Sequence, residues 1–231
     1  MRSARLLVPV LLASVVLTGC FTGKRGHFSD DAATATTVGA PVADPAIQAV
    51  LSKLEAPDSG QFTANYDIIV KYGNRPTTAV VAQTAPDNQS ITIGHVRFLT
   101  DGDGQTCELS TGACVSGLQD QQISDVMPSH TFFAGSAALK LRQDATTMVS
   151  AAVGSTKVIA GQNATCVDVQ FAAGVKTYCV LDNGLLAQQD TPDVRIDLTS
   201  FTVGVDTSLF SVQAPTETTT TVAATTTTLP G

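Results

Sequence analysis

From Phe62 to Tyr72 the sequence alternates. Phe62, Ala64, Tyr66, Ile68, Val70 and Tyr72 are apolar or aromatic, while Thr63, Asn65, Asp67 and Lys71 lie between them, with Ile69 the one apolar residue out of phase. A period of two puts successive side chains on opposite faces, so this stretch predicts a β-strand with one buried face and one wet one. Such a strand needs partners, and they follow directly. Gly73-Asn74-Arg75-Pro76 reads as a turn, Thr77–Thr84 as a second strand, Pro86-Asp87-Asn88 as another turn and Ser90–Leu99 as a third strand. Three strands joined by tight turns predict an antiparallel meander.

The buried face requires a cover, and two segments have helical period. Asp44-Pro45 reads as an N-cap followed by proline at the first helical position. Ile47, Val50, Leu51 and Leu54 then recur at i, i+3, i+4 and i+7, which gives one apolar stripe before Pro57 and Gly60. A helix this short is marginal alone, so its stripe must pack on the sheet. The second segment, Gly135–Ala152, places Ala137, Leu141, Ala145, Met148 and Ala152 on one face, with Gly154 available beyond the end. Strands are predicted again at Lys157–Ala160, Thr165–Phe171, Val175–Leu181, Gly184–Gln189 and Val194–Val205. In the last of these, Val194, Ile196 and Leu198 share one phase and Phe201, Val203 and Val205 the other, so one residue is inserted near Thr199-Ser200 and a β-bulge is expected there.

The start of the chain fixes its destination. Arg2 and Arg5 precede an apolar run from Leu6 to Val16, the plan of an export signal and too short to span a bilayer. The run ends in Leu17-Thr18-Gly19-Cys20, which resembles a bacterial lipobox and implies diacylglycerol on the Cys20 sulfur, the thiolate being the nucleophile that accepts lipid. Two long acyl chains at about 0.8 kcal/mol per buried CH₂ hold a protein at a membrane. Residues 1–19 are thus read as the signal and 20–43 as a flexible tether spanning about 27 Å. Residues 44–213 are the folded domain, and 214–231 a Thr-rich disordered tail. Loss of Arg2 and Arg5 takes the formal net charge from −7 to −9, which argues against a nucleic-acid partner. Charged residues are only 14% and hydrophobic ones 43%, enough apolar material for the core of one domain, expected to be monomeric.

Cys107, Cys114, Cys166 and Cys179 remain, an even number in a chain sent to an oxidising compartment, so two disulfides are expected. Three connectivities are possible. Cys107–Cys114 and Cys166–Cys179 are preferred because each pair flanks a plausible hairpin. A four-cysteine zinc site would ordinarily need Cys-x₂₋₄-Cys spacing, which neither pair has. No metal or cofactor is expected. Of the three histidines, His27 lies in the tether, His95 in a predicted strand and His130 beside Ser129. No Gly-x-Ser-x-Gly elbow, His-Glu-x-x-His pair or Gly-rich phosphate loop accompanies them, so an enzyme is not expected.

The order of elements, with the opening strand Phe62–Tyr72, the segment Gly184-Leu185-Leu186-Ala187 and the closing Asp206-Thr207-Ser208-Leu209-Phe210, resembles the lipoprotein-carrier fold of LolA and LolB. It is also similar to that of the mycobacterial lipoproteins LprG and LppX. The resemblance implies an α+β fold, a curved antiparallel half-barrel wrapped around the short N-terminal helix and the middle helix. It further implies an apolar cavity for a lipid or glycolipid, with Phe62, Tyr66, Ile68 and Val70 as candidate ligand contacts. The alternative within the same fold is an anchored sensor or interaction module, similar to the carrier-like domain of RseB, in which these residues simply make the core.

Overall fold

In the computed structural model, residues 43–56 and 60–211 are described. Cys20, the signal, the tether up to residue 42 and the tail of residues 214–231 lie outside them. The chain runs α1 (Pro45–Leu54), β1 (Phe62–Val70), β2 (Arg75–Ala85), β3 (Asn88–Ile93), β4 (Val96–Leu99), β5 (Gln105–Glu108) and β6 (Ala113–Ser116). A 3₁₀ turn (Asp120–Ile123) leads to α2 (Gly135–Ala145), and β7 (Val153–Ile159), β8 (Gln162–Phe171), β9 (Gly174–Leu181), β10 (Leu186–Asp190) and β11 (Val194–Val203) follow. A second 3₁₀ turn spans Thr207–Phe210.

All eleven strands form one open antiparallel sheet in the order β6-β5-β4-β3-β2-β1-β11-β10-β9-β8-β7. It consists of two sequential meanders, joined where the first strand of one pairs with the last strand of the other. The fold is α+β, a half-barrel curved around α1 and α2. The cleanest alternating strand, β1, lies at the centre of the sheet, flanked by β2 and β11.

The bulge lies where the change of phase places it. Asn65 pairs with Ser200 and Tyr66 with Leu198, which leaves Thr199 as the extra residue. Its hydroxyl donates to the Asn65 carbonyl at 3.1 Å, and the Asn65 amide donates to the Ser200 hydroxyl at 2.7 Å. A bulge in a central strand bends the sheet towards the helical layer.

Three expected elements differ from those observed. Ser90–Leu99 is two strands, separated by a two-residue turn at Gly94-His95, with Ile93 facing Val96. Gly94 has φ +58°, the conformation that a hairpin with glycine at the first turn position requires. His95 therefore lies in the turn, 3.5 Å from Glu108. The opening strand stops at Val70, because the chain turns through Gly73 and Asn74, both with positive φ, and leaves Tyr72 exposed. The middle helix ends at Ala145. The Thr146 and Thr147 hydroxyls donate back to the carbonyls of Gln143 (2.7 Å) and Asp144 (3.4 Å), and the following residues lead into β7, which contains Gly154.

The helices are tied to the sheet and to each other at their ends. Asp44 caps α1 as expected, accepting from the Ala46 and Ile47 amides at 2.9 and 3.2 Å. Its second oxygen accepts from Ala152 at 3.0 Å, fixing the entry to β7. Arg142 of α2 grips Glu55 with two bonds of 2.5 and 2.7 Å, and Lys53 reaches Asp182 at 2.6 Å.

Both preferred disulfides are formed, Cys107–Cys114 between directly opposed residues of β5 and β6, and Cys166–Cys179 between those of β8 and β9. Cys166 and Cys179 are buried, whereas Cys114 is exposed on the edge strand. Mild reductant should therefore open Cys107–Cys114 first. Alkylation and peptide mapping should find Cys166 and Cys179 unlabelled until the domain unfolds, and simultaneous labelling of all four would contradict this. In the chain-entropy model the two bridges contribute about 2.5 and about 3 kcal/mol.

Candidate functional site

The side chains of β1 that face the helices make the centre of the inner face. Tyr66 meets Phe132 edge to face at 5.0 Å between ring centroids, Phe132 meets Phe133 at 5.8 Å, and Phe62 stacks on Phe201 at 6.1 Å. Phe62, Tyr66, Ile68 and Val70 are 0 to 4% exposed. A side chain lining a void wide enough for an acyl chain would keep accessible surface inside that void, so the interior around these four is filled. Open concavities of about 380, 320, 460 and 210 Å³ on the described surface are lined by other residues. The Tyr66 hydroxyl is buried without a hydrogen-bond partner, and its burial pushes the phenol far above the ordinary tyrosine range.

The second feature of the inner face is polar. The register places Val167, Tyr178, Gln189, Ile196 and Ile68 in one row across β8, β9, β10, β11 and β1. Tyr178 and Gln189 thus occupy core positions. The Tyr178 hydroxyl donates to Asp144 Oδ2 of α2 at 2.6 Å, and Lys176 Nζ donates to Asp144 Oδ1 at 2.6 Å while lying 4.5 Å from the centre of the Phe171 ring. Burial first, then the Asp144 carboxylate, drives the Tyr178 phenol strongly upward. Gln189 is 2% exposed and its Nε2 has no partner. Lys140, one turn before Asp144, lines the same concavity of about 210 Å³ with Met127, Gln143, Thr191, Asp193 and Val194.

None of this polar cluster was foreseen from the sequence. Lys176 and Tyr178 share a phase in their strand, but only the register brings Gln189 beside them and sets Asp144 above.

His130 is held against the core. The His130 backbone amide donates to Asp120 Oδ1 at 2.8 Å, its ring Nδ1 lies 3.0 Å from the same oxygen, and the ring packs 5.5 Å from Phe98. Ser129 contacts Thr131 instead. Among the described residues no three metal-ligating side chains cluster, and the four cysteines are consumed in disulfides. No helix among those residues is long and apolar enough to cross a membrane.

No protein-family model matches the chain, and no curated protein matches it in sequence. Solved structures are similar to it. MucB in complex with MucA(peri) is 17% identical over 74% of this chain and 59% of that one, with a TM-score of 0.42. The MucA/MucB complex of Pseudomonas aeruginosa is 14% identical over 74% and 59%, with a TM-score of 0.40. LprF from Mycobacterium bovis is 11% identical over 72% of this chain and 97% of that one, with a TM-score of 0.38. The match thus spans 59% of the length of the MucB chain in the first of these complexes.

Proposed function

We infer that this chain is a lipid-anchored, extracytoplasmic binding module, not an enzyme, and that it acts through its surface with a closed interior. The filled inner face carries this reading. Phe62, Tyr66, Ile68 and Val70 keep almost no accessible surface, with Phe62 against Phe201 and Tyr66 against Phe132. Anchoring rests on the Leu17-Thr18-Gly19-Cys20 sequence and the thiolate chemistry that Cys20 offers.

The second reading is a carrier of acyl chains or a glycolipid, and one observation favours it. A buried hydroxyl without a partner costs about 1–3 kcal/mol, and the Tyr66 phenol is such a group. An ester carbonyl entering beneath a lifted α1 and α2 would accept a hydrogen bond from it, and the four β1 residues would become ligand contacts. The outer pairs, Arg142–Glu55 between the helices and Lys53–Asp182 from α1 to the sheet side, are partly exposed and worth little each, so the main tie that lifting must break is that of Asp144 to Lys176 and Tyr178.

Native mass spectrometry decides between the two. The Cys20→Ser chain, exported with its disulfides intact, should appear at its sequence mass less four hydrogens, with no lipid in an organic extract. A stoichiometric lipid of defined mass would reverse the order of the readings.

A further inference from the structure

We propose that the free edge of β7 pairs antiparallel with β7 of a second copy of this chain, about a twofold axis at Thr156. The two ends of the sheet differ. A strand at a sheet edge presents unpaired backbone donors and acceptors, and proteins that must stay single blunt such edges with short strands, prolines, bulges or charges. β6 is blunted, being four residues long and stapled to β5 by Cys107–Cys114. β7 is not. It runs for seven residues in unbroken register with β8, holds no proline and carries Lys157 as its one charge. Among the described residues nothing lies beyond it in the sheet.

The hairpin sets which groups of β7 are free. Ile159 and Gln162 flank a two-residue turn in which Ala160 and Gly161 have φ +49° and +74°, so the flanking residues exchange both backbone hydrogen bonds. Bonded and unbonded pairs alternate from there. Val153, Ser155, Lys157 and Ile159 therefore bond to β8, while Gly154, Thr156 and Val158 aim both N–H and C=O away from it. The second disulfide agrees with this assignment. Cys166 and Cys179 form the close, unbonded kind of pair, 4.0 Å between Cα atoms, which leaves the Cys166 backbone for Ser155.

An edge whose outward residues are centred on Thr156 is complementary to itself. Thr156 meets the partner's Thr156 and Gly154 the partner's Val158, so every free group of the edge is bonded. Val158 is 71% exposed in the single chain, and in the pair it lies over the side-chain-free face of glycine, beside Ala46 of α1, whose Cβ is 3.2 Å from where a Cβ on Gly154 would stand. Val153, 55% exposed, faces the partner's Ile159, and Lys157 faces the partner's Ser155. Moving the axis to Lys157 would set that charge against its own copy, and moving it to Ser155 would carry Val158 past the start of the partner's strand. Twofold pairing closes on itself and stops at two copies. Asp44 bonds Ala152 just ahead of β7, so the two tethers begin at opposite ends of the interface, about 25 Å apart. On the anchored reading, copies held on one membrane pair at the raised effective concentration that tethering gives. The pair stands apart from the question of acyl chains in the interior. The sequence, from which a monomer is expected, does not show which strand ends the sheet.

The test takes the Cys20→Ser chain, exported with its disulfides intact, through sedimentation velocity and amide exchange from about 10 µM to about 1 mM, the range suited to an interface below the standard size. The dimer fraction should rise with concentration. The Gly154, Thr156 and Val158 amides should slow about tenfold or more with it, while those of Ser155 and Lys157 stay protected throughout by β8. Thr156→Pro removes an outward donor that β8 does not use, and Val158→Lys changes a side chain in solvent, so both should fold and both should remain monomeric. Thr156→Cys should give a disulfide-linked dimer under mild oxidation. Val158→Cys should not, because the axis holds its two copies more than about 7 Å apart. A monomer at all concentrations would overturn the proposal. Protection of the outward amides that does not depend on concentration would assign the edge to another segment of the same chain, and would overturn it as well. So would a dimer that survives both Thr156→Pro and Val158→Lys, or equal crosslinking through the two cysteine variants, since either places the interface elsewhere.

Discussion

Raising the pH above about 10 should destabilise this domain by roughly 2.8 kcal/mol per pH unit, because two buried phenols each contribute about 1.4. Tyr66 and Tyr178 are both driven upward by burial, and Tyr178 also by its bond to Asp144. In the unfolded chain they ionise near 10. Their contribution to stability is therefore complete below that pH and is lost as the pH rises beyond it, since the unfolded state sheds protons that the folded state keeps. The chain has three tyrosines. In the folded protein at pH 11, phenolate absorbance near 295 nm should reach no more than one third of that of the unfolded chain, with the rest appearing together with unfolding. Urea midpoints at pH 8, 10 and 11 supply the slope. Tyr66→Phe should halve it, and at neutral pH should leave the protein as stable or more so, because the deleted hydroxyl has no partner. Three phenolates forming while the near-ultraviolet dichroism remains native would refute the assignment.

The parts of the fold that were legible in the sequence are those where one local signal suffices. Asp44-Pro45 announces a cap, the alternation of Phe62 to Val70 announces a strand, and the switch of phase after Leu198 announces the bulge at Thr199. The Gly94-His95 hairpin was legible too, but was misread. Ile91 and Ile93 are apolar at odd positions and Val96 and Phe98 at even ones, so the phase changes across a glycine. The same kind of switch marks a bulge in β11 and a turn here, and only the glycine distinguishes them. The length of α2 was overestimated because Met148 and Ala152 continue its period, while the Thr146 and Thr147 hydroxyls compete for the last carbonyls. The polar cluster was not legible at all. Asp144, Tyr178 and Gln189 lie on three elements separated by turns, and nothing local shows that a charge on α2 will lie over a phenol on β9. Phe62, Tyr66, Ile68 and Val70 share the buried face of β1, and alternation alone cannot separate a packed row from the wall of a cavity.

Replacing Asp144 by leucine should cost about 2–4 kcal/mol, the larger share from stranding the Tyr178 hydroxyl in the core. Asp144 is 8% exposed and cannot turn to solvent, whereas Lys176 lies nearer the rim and can extend its ammonium into water along an aliphatic stem. The two halves of the pair are therefore unequal. Lys176→Met leaves a buried carboxylate with a single donor and should cost at least as much as losing the carboxylate. The double substitution should cost less than the sum, with a coupling of about 1–3 kcal/mol in a double-mutant cycle. Amides of α2 should then exchange faster than those of β1, since Asp144 pins that helix to β9 while β1 is held on both sides by strand pairing.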